Sequence, residues 1–164
     1  MNNAVTTPVQ NTNPHFNEAQ WLQALFLLAE AQSWLQQLQE ALIWQLPVKH
    51  RKKLLRQSWY LSAKALAHIL ERHYYKIPGH PYTAKFTIAI PQIVACIKEA
   101  GAQQAMPLPE PKGAGVPRSR HLQRVWDAGM AVGYDPAGNT VTVITVIAST
   151  SGEIITAFPG AMPP

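Results

Sequence analysis

The chain has 164 residues, of which 47% are apolar and 14% are charged, and its formal net charge is +5. This length and apolar fraction predict a globular protein with a hydrophobic core. The single cysteine, Cys96, excludes a fold held together by intramolecular disulfides. The modest positive charge suits a phosphate-rich partner without requiring one.

The first ordered element predicted along the chain is a long helix. Residues 1–16, rich in Asn and Thr, predict a flexible arm and lack the basic start and apolar stretch of a Sec signal peptide. From Asn17, a helix-capping residue type, to about Leu46, apolar residues recur at three- and four-residue steps. Gln and Glu interrupt them too often for a membrane span. We expect an amphipathic helix with a broad buried face, as a helical extension over residues 17–60. Placement on a membrane surface is a weaker alternative, because the polar face carries Gln rather than Lys.

Pro47 separates this helix from a second one, expected from about Val48 to Tyr74. The basic run Lys49–Lys53 near its start indicates either a solvated helix end or a patch that faces phosphates. After a Pro- and Gly-rich break, a short strand is expected over Lys85–Ile90, followed by a helix over Pro91–Ala100. The Pro- and Gly-rich stretch after that helix predicts an exposed loop.

The remainder of the chain predicts an antiparallel sheet of about four strands. Its expected parts are a strand over Leu122–Gly133, a hairpin turn over Asp135–Asn139, a central strand over Thr140–Ser149 and a last strand over Ile154–Phe158. The predicted fold class is therefore α+β, with N-terminal helices followed by a C-terminal antiparallel β-meander. Residues 61–164 are expected to form the α+β domain.

Acid–base residues cluster on the second predicted helix. No metal- or nucleotide-binding motif is present, and the carboxylates are scattered, so metal-free chemistry is favoured and no cofactor is expected. His68 and Arg72 are four residues apart and share a helix face, and His73 lies near the helix end. A base, an acid and cations are the groups that cleave RNA through its 2′-hydroxyl, leaving a 2′,3′-cyclic phosphate. A structural role for an isolated helical histidine is the simpler alternative.

These residues, in this order, resemble a known toxin family. The series begins with His68-x-x-x-Arg72-His73 and Lys85-Phe86-Thr87, continues with Asp127-Ala128-Gly129, Gly133-Tyr134-Asp135 and a β-branched strand, and closes with Ile155-Thr156-Ala157-Phe158-Pro159. It is similar to small toxins of the barnase–EndoU–colicin–RelE (BECR) superfamily. The similarity covers about Leu61 to Pro159. Such toxins form the C-terminal tips of contact-dependent-inhibition, Rhs and related polymorphic toxins.

The resemblance implies a set of site residues. His68 and His73 would be the base and the acid, in either order. Lys85 would be the cation that stabilises the phosphate, and Thr156 a hydroxyl that holds a phosphate oxygen. Arg72 and Thr145 would contact substrate in the same cleft. Lys85 as a solvated strand-edge residue and Thr156 as a simple β-former are the alternatives. Three arginines that flank His121 are further expected to contact substrate phosphates: Arg118, Arg120 and Arg124. The alternative is that these arginines lie in a solvated loop.

The resulting hypothesis is a metal-independent endoribonuclease toxin that cleaves tRNA or another RNA and is neutralised by a cognate immunity protein. It would be made in the bacterial cytoplasm and delivered as an effector into the cytoplasm of a target cell, without stable transmembrane insertion. The alternative is a non-enzymatic module that binds a protein partner through its long helix, or that binds nucleic acid without turnover.

Overall fold

The computed structural model describes residues 17–43, 47, 59–108 and 121–162. Within this part of the chain, helices come first and antiparallel strands follow, which confirms the predicted α+β class. The elements are α1 Glu18–Ile43, α2 Ala63–His73, β1 Lys85–Phe86, α3 Ile90–Ala100, β2 Met106–Pro107, β3 His121–Asp127, β4 Gly133–Tyr134, β5 Thr140–Val141, β6 Val143–Ser149 and β7 Ile154–Pro159. Several predictions fall wholly or partly outside the described residues: the flexible arm 1–16, the first part of the second predicted helix with the basic run Lys49–Lys53, the Pro- and Gly-rich loop after residue 108, Arg118 and Arg120.

The described strands form two antiparallel sheets rather than one meander. The larger sheet has the order β2-β3-β6-β7, and the smaller has the order β1-β4-β5. The expected strand over Leu122–Gly133 ends at Asp127, because Gly129 takes a positive φ of 67° and donates its N–H to the Asp127 carboxylate. The expected central strand is likewise divided at Thr142, so that β5 joins the smaller sheet while β6 is central in the larger one.

The helix boundaries differ from the sequence prediction at two points. Ser62 N-caps α2 by accepting a hydrogen bond from the Ala65 amide at 3.1 Å, so α2 begins at Ala63 rather than near Val48. The residues just before it run extended, and Tyr60 forms a parallel bridge with Glu153. The strand expected over Lys85–Ile90 ends at Phe86, because α3 begins at Ile90.

The hydrophobic core lies between α2, α3 and the larger sheet. Its fully buried side chains include Ile69 and Leu70 from α2, Ile93 from α3, and Ile144 and Val146 from β6. Burial of such side chains contributes about 1.5–3 kcal/mol each, before the entropy cost of ordering them. The core therefore fixes α2 against the strands, and this places the α2 side chains that border the larger sheet.

Helix α1 packs on α2, and Trp21, Leu22 and Phe26 are half-buried against the core. Leu25 and Ala29 are its buried residues among those whose side chains are described, while Leu27, Leu28, Trp34 and Leu38 are exposed. The side chains of residues 35 and 39–43 lie outside the described part of the helix, so the breadth of its buried face stays a prediction. The start of α1 is held by Glu18, whose carboxylate accepts hydrogen bonds from the Tyr74 hydroxyl and the Lys76 ammonium. Over the residues described, none of the helices is long and apolar enough to cross a membrane.

Candidate functional site

A cleft of about 600 Å³ lies between the C-terminal half of α2 and strand β7. This volume falls within the usual range for small-molecule and substrate sites. The loop before β1 and the β4–β5 turn complete its walls. Four residues that the sequence predicted for the site line this cleft. Three of them lie on α2 and the last lies on β7: His68, Arg72, His73 and Thr156.

His73 is the most constrained of these residues. It is the last residue of α2, it is 7% exposed, and its ring centroid lies 5.8 Å from that of Phe158 on β7. Its Nδ1 lies 2.8 Å from the Ala84 carbonyl oxygen. Because a carbonyl oxygen only accepts hydrogen bonds, Nδ1 carries the proton and donates it. The lone pair of the neutral ring is therefore on Nε2.

The surroundings of His73 favour the neutral imidazole. Burial lowers the pKa of His73 from its usual 6.5 to about 4, and the neighbouring charges of Arg72, His68 and Lys85 act in the same direction. The hydrogen bond to Ala84 opposes this effect only in part. At neutral pH His73 is thus a deprotonated base whose position and tautomer are fixed.

This shifted pKa predicts a loss of stability in mild acid. Below pH 6.5 the unfolded imidazole takes up a proton, whereas the folded one stays neutral down to a pKa of about 4. The free energy of unfolding should therefore fall by up to about 3 kcal/mol from this residue as the pH drops from 6.5 to 4. Urea unfolding at pH 7 and pH 4.5 measures the loss. His73→Gln should show a smaller decrease over that interval; an equal decrease in both proteins would contradict the assignment.

His68 and Arg72 line the same cleft from the exposed face of α2. They are four residues apart, so they stand one above the other on the helix, as the sequence predicted. His73 is five residues from His68, and helical geometry alone would turn it away. It reaches the cleft because α2 ends there, and its ring is held against β7.

Thr156 brings an unpaired hydroxyl to the cleft wall. Its Oγ1 is buried, and among the described residues it is the buried side-chain polar atom that has no hydrogen-bond partner. A buried hydroxyl without a partner costs about 1–3 kcal/mol, so such groups are uncommon in folded proteins. A polar ligand atom in the cleft would relieve this cost.

Lys85 lies behind the cleft wall rather than in it. Its ammonium donates hydrogen bonds to the carbonyl oxygens of Arg72 at 2.7 Å and Gly79 at 2.9 Å. It is 5% exposed, it is not among the residues that line the cleft, and burial lowers its pKa. Lys85 therefore ties the last turn of α2 to the loop before β1.

Thr145 and Arg124 are also placed away from the cleft. Thr145 is fully buried on β6 and donates its hydroxyl to the Gly160 carbonyl at 2.7 Å, so it positions a lining residue without facing ligand. The Arg124 guanidinium lies 4.4 Å from the centroid of the Trp59 ring, and its Nε donates to the Gln103 carbonyl. Neither residue lines the cleft.

The structure adds lining residues to which the sequence gave no role in the site. Tyr82 stands at the cleft with 88% of its surface exposed. Asp135 lies on the opposite wall, where its carboxylate accepts bonds from the Ala137 and Asn139 amides and from the Asn139 side chain. These bonds lower its pKa. An aromatic residue in a loop rich in Pro and Gly was the only sequence signal for Tyr82.

The described residues contain no group of three or more His, Cys, Asp or Glu placed to hold a metal ion. Comparison of the chain with protein-family models, with curated proteins and with solved structures gives no match. The functional argument therefore rests on the geometry of the cleft and on the resemblance of its motifs.

Proposed function

We propose that this chain is a metal-independent endoribonuclease that cleaves RNA by attack of the ribose 2′-hydroxyl. The observation that carries the proposal is the meeting of His68, Arg72, His73 and the unpaired Thr156 hydroxyl in one cleft. Two imidazoles supply a base and an acid, a guanidinium supplies a fixed positive charge, and the hydroxyl supplies a hydrogen-bond donor.

The cleft residues take distinct roles in this reaction. His73, neutral with its lone pair on Nε2, removes the proton of the 2′-hydroxyl as the 2′-oxygen bonds to phosphorus. Arg72 and Thr156 stabilise the negative charge that develops on the phosphate oxygens. The bond from phosphorus to the 5′-oxygen then breaks, and His68, in its protonated form, gives that oxygen a proton. The products are a 2′,3′-cyclic phosphate and a 5′-hydroxyl, and solvent restores both imidazoles.

Lys85 has a positioning role in this proposal. Its ammonium holds the Arg72 carbonyl, and it thereby fixes the backbone from which the Arg72 guanidinium extends. The cation at the phosphate is accordingly Arg72, in place of the Lys85 that the resemblance implied. Thr145 likewise has a positioning role, because its hydroxyl holds the carbonyl of Gly160, which lines the cleft.

The resemblance to polymorphic toxins supplies the biological part of the proposal. The substrate would be tRNA or another RNA of a target cell, into whose cytoplasm the protein is delivered from the cell that makes it. A cognate immunity protein would block the cleft in the producer. Because His68, Arg72 and the net charge of +5 make the chain basic, we expect this partner to be acidic.

Purified protein incubated with total bacterial RNA tests the proposal. We expect discrete cleavage products in the presence of excess EDTA, because none of the proposed steps uses a metal. RNA that stays intact over hours at micromolar protein would overturn the enzymatic function. Cleavage that EDTA abolishes would overturn the metal-free mechanism.

Thr156→Val separates a functional hydroxyl from a structural one. Valine has nearly the same shape and removes the unpaired oxygen, so we expect the free energy of unfolding to stay equal or to rise by about 1 kcal/mol. Cleavage should fall about tenfold, since one hydrogen bond to the transition state is lost. Urea unfolding and initial cleavage rates measure the two effects. Unchanged activity with raised stability would remove Thr156 from the site.

A second candidate function is self-association through α1, favoured by its exposed apolar stripe. The stripe follows the three- and four-residue steps of a helix–helix seam and contains two small and three large side chains: Ala24, Leu27, Ala31, Trp34 and Leu38. In an antiparallel pair of two copies, large residues would lie opposite small ones. Sedimentation should then show a dimer that Trp34→Gln converts to a monomer. A wild-type protein that stays monomeric at a concentration on the order of 100 micromolar would contradict this function.

A further inference from the structure

A stripe of basic residues runs along the exposed face of α2. Lys64, His68 and Arg72 are spaced four residues apart, and all three are exposed. Four residues of α-helix rise about 6 Å, so the three side chains stand in line over about 12 Å. The spacing of about 6 Å between neighbouring side chains is of the same order as the distance between successive phosphates along an extended nucleic-acid strand.

The stripe joins two cavities. The site cleft ends at His68, and a second cavity of about 370 Å³ begins at the same residue. Arg72 lines the first cavity and Lys64 lines the second. The second cavity also contains the polar side chains of Gln36 and Ser62. The two cavities therefore both border His68, and together they are called the groove beside α2.

Carboxylates border this groove, but none of those described forms an ion pair with its cations. Asp135 lines the site cleft and accepts hydrogen bonds within its own turn. Within the described part of the chain, no ion pair involves Lys64 or Arg72; the pair that is formed joins Lys76 to Glu18. Glu153 lines the second cavity, and its carboxylate accepts a hydrogen bond from the Tyr60 hydroxyl; burial, together with this carboxylate, raises the pKa of Tyr60 to about 12. The cations remain available to an anionic ligand.

The other end of the groove carries an exposed aromatic ring. Tyr82 borders the site cleft with 88% of its surface open to solvent. Aromatic rings beside a cationic groove are the usual stacking platforms for the bases of single-stranded nucleic acid. A base can stack on such a ring only after it has left a duplex.

We propose that the groove binds single-stranded RNA along α2, with successive phosphates at Arg72, His68 and Lys64 and an unstacked base on Tyr82. This inference rests on the proposed function, because it extends the same cleft. It adds a substrate class: a strand with at least two phosphates beyond the one that is attacked, rather than a mononucleotide or an intact duplex.

Binding of 2′-O-methyl oligouridylates tests this inference without cleavage, because their blocked 2′-oxygen cannot attack. Fluorescence anisotropy should show that affinity rises up to about three phosphates and then levels off. Lys64→Gln should weaken binding of the three-phosphate strand about five- to tenfold and leave a mononucleotide unaffected. It should also reduce the salt slope, log K against log[salt], by about 0.7. Lys98→Gln, an equal loss of charge at an exposed position on α3, serves as the matched control.

The outcomes separate this inference from the proposed function. Equal effects of Lys64→Gln and Lys98→Gln, or binding that does not depend on strand length, would overturn the path along α2. Duplex RNA that binds as tightly as the single strand would overturn the substrate class. Strand binding with the expected length dependence in a protein that leaves RNA intact would support the groove and refute the enzyme. RNA cleavage by a protein in which Lys64→Gln leaves strand binding unchanged would support the enzyme and refute the groove.

Discussion

Replacing His73 with glutamine is expected to lower the rate of RNA cleavage by about 10²- to 10⁴-fold. Glutamine retains an N–H that can donate to the Ala84 carbonyl, and its side-chain oxygen can accept a hydrogen bond from the 2′-hydroxyl. It cannot take up the proton, so binding is kept while the proton transfer is lost. Initial rates on a short fluorescent RNA measure the effect, and the loss should appear in kcat with little change in KM.

His80→Asn is the matched control for this change. His80 lies in the loop between α2 and β1, is exposed, and does not line the cleft. Its φ of 47° is one that asparagine tolerates well, so the loop should keep its conformation. We expect activity within about twofold of wild type. His73→Gln activity close to that of the control would remove His73 as the base.

Replacing Gly133 with alanine is expected to give the largest loss of stability. Gly133 pairs with Phe86 between β4 and β1, and a Cβ at this position would collide with the Lys85 carbonyl oxygen and the backbone of Phe86. Because backbone atoms cannot rotate away, β1 must separate from β4. We expect the free energy of unfolding to fall by at least about 3 kcal/mol, measured by urea unfolding.

Gly138→Ala distinguishes this collision from ordinary glycine strain. Gly138 has a positive φ of 86°, but a Cβ there meets no atom within 4 Å. Only the conformational cost of about 1–2 kcal/mol is then expected. If Gly133→Ala lowers the free energy of unfolding no more than Gly138→Ala does, β4 does not approach β1 as closely as described.

The sequence predicted the part of the site that depends on local spacing. His68 and Arg72 share a helix face because of their four-residue separation, and this holds wherever the helix lies. Thr156 is within a β-branched strand whose position at the end of the chain was predicted. The hairpin turn that begins at Asp135 followed from its residue types, and Asp135 bonds its own turn as such residues do.

The remaining site residues depend on tertiary contacts that spacing does not reveal. Lys85 was expected to face a phosphate, but β1 runs beside the end of α2, where two carbonyl oxygens accept hydrogen bonds from its ammonium. Thr145 is buried because β6 has neighbours on both edges and its side chain meets Gly160. The burial of His73 requires β7 to close against the end of α2. None of these contacts follows from the period of a helix or strand.

The sharpest test of cleavage through the 2′-hydroxyl is a short RNA that carries a single 2′-deoxynucleotide, incubated with the protein in EDTA and analysed by mass spectrometry. The proposed roles of His73 and His68 predict products that end in a 2′,3′-cyclic phosphate and begin with a 5′-hydroxyl. They also predict no cleavage after the deoxynucleotide. Cleavage at that position, or products with a 5′-phosphate and a 3′-hydroxyl, would contradict the mechanism.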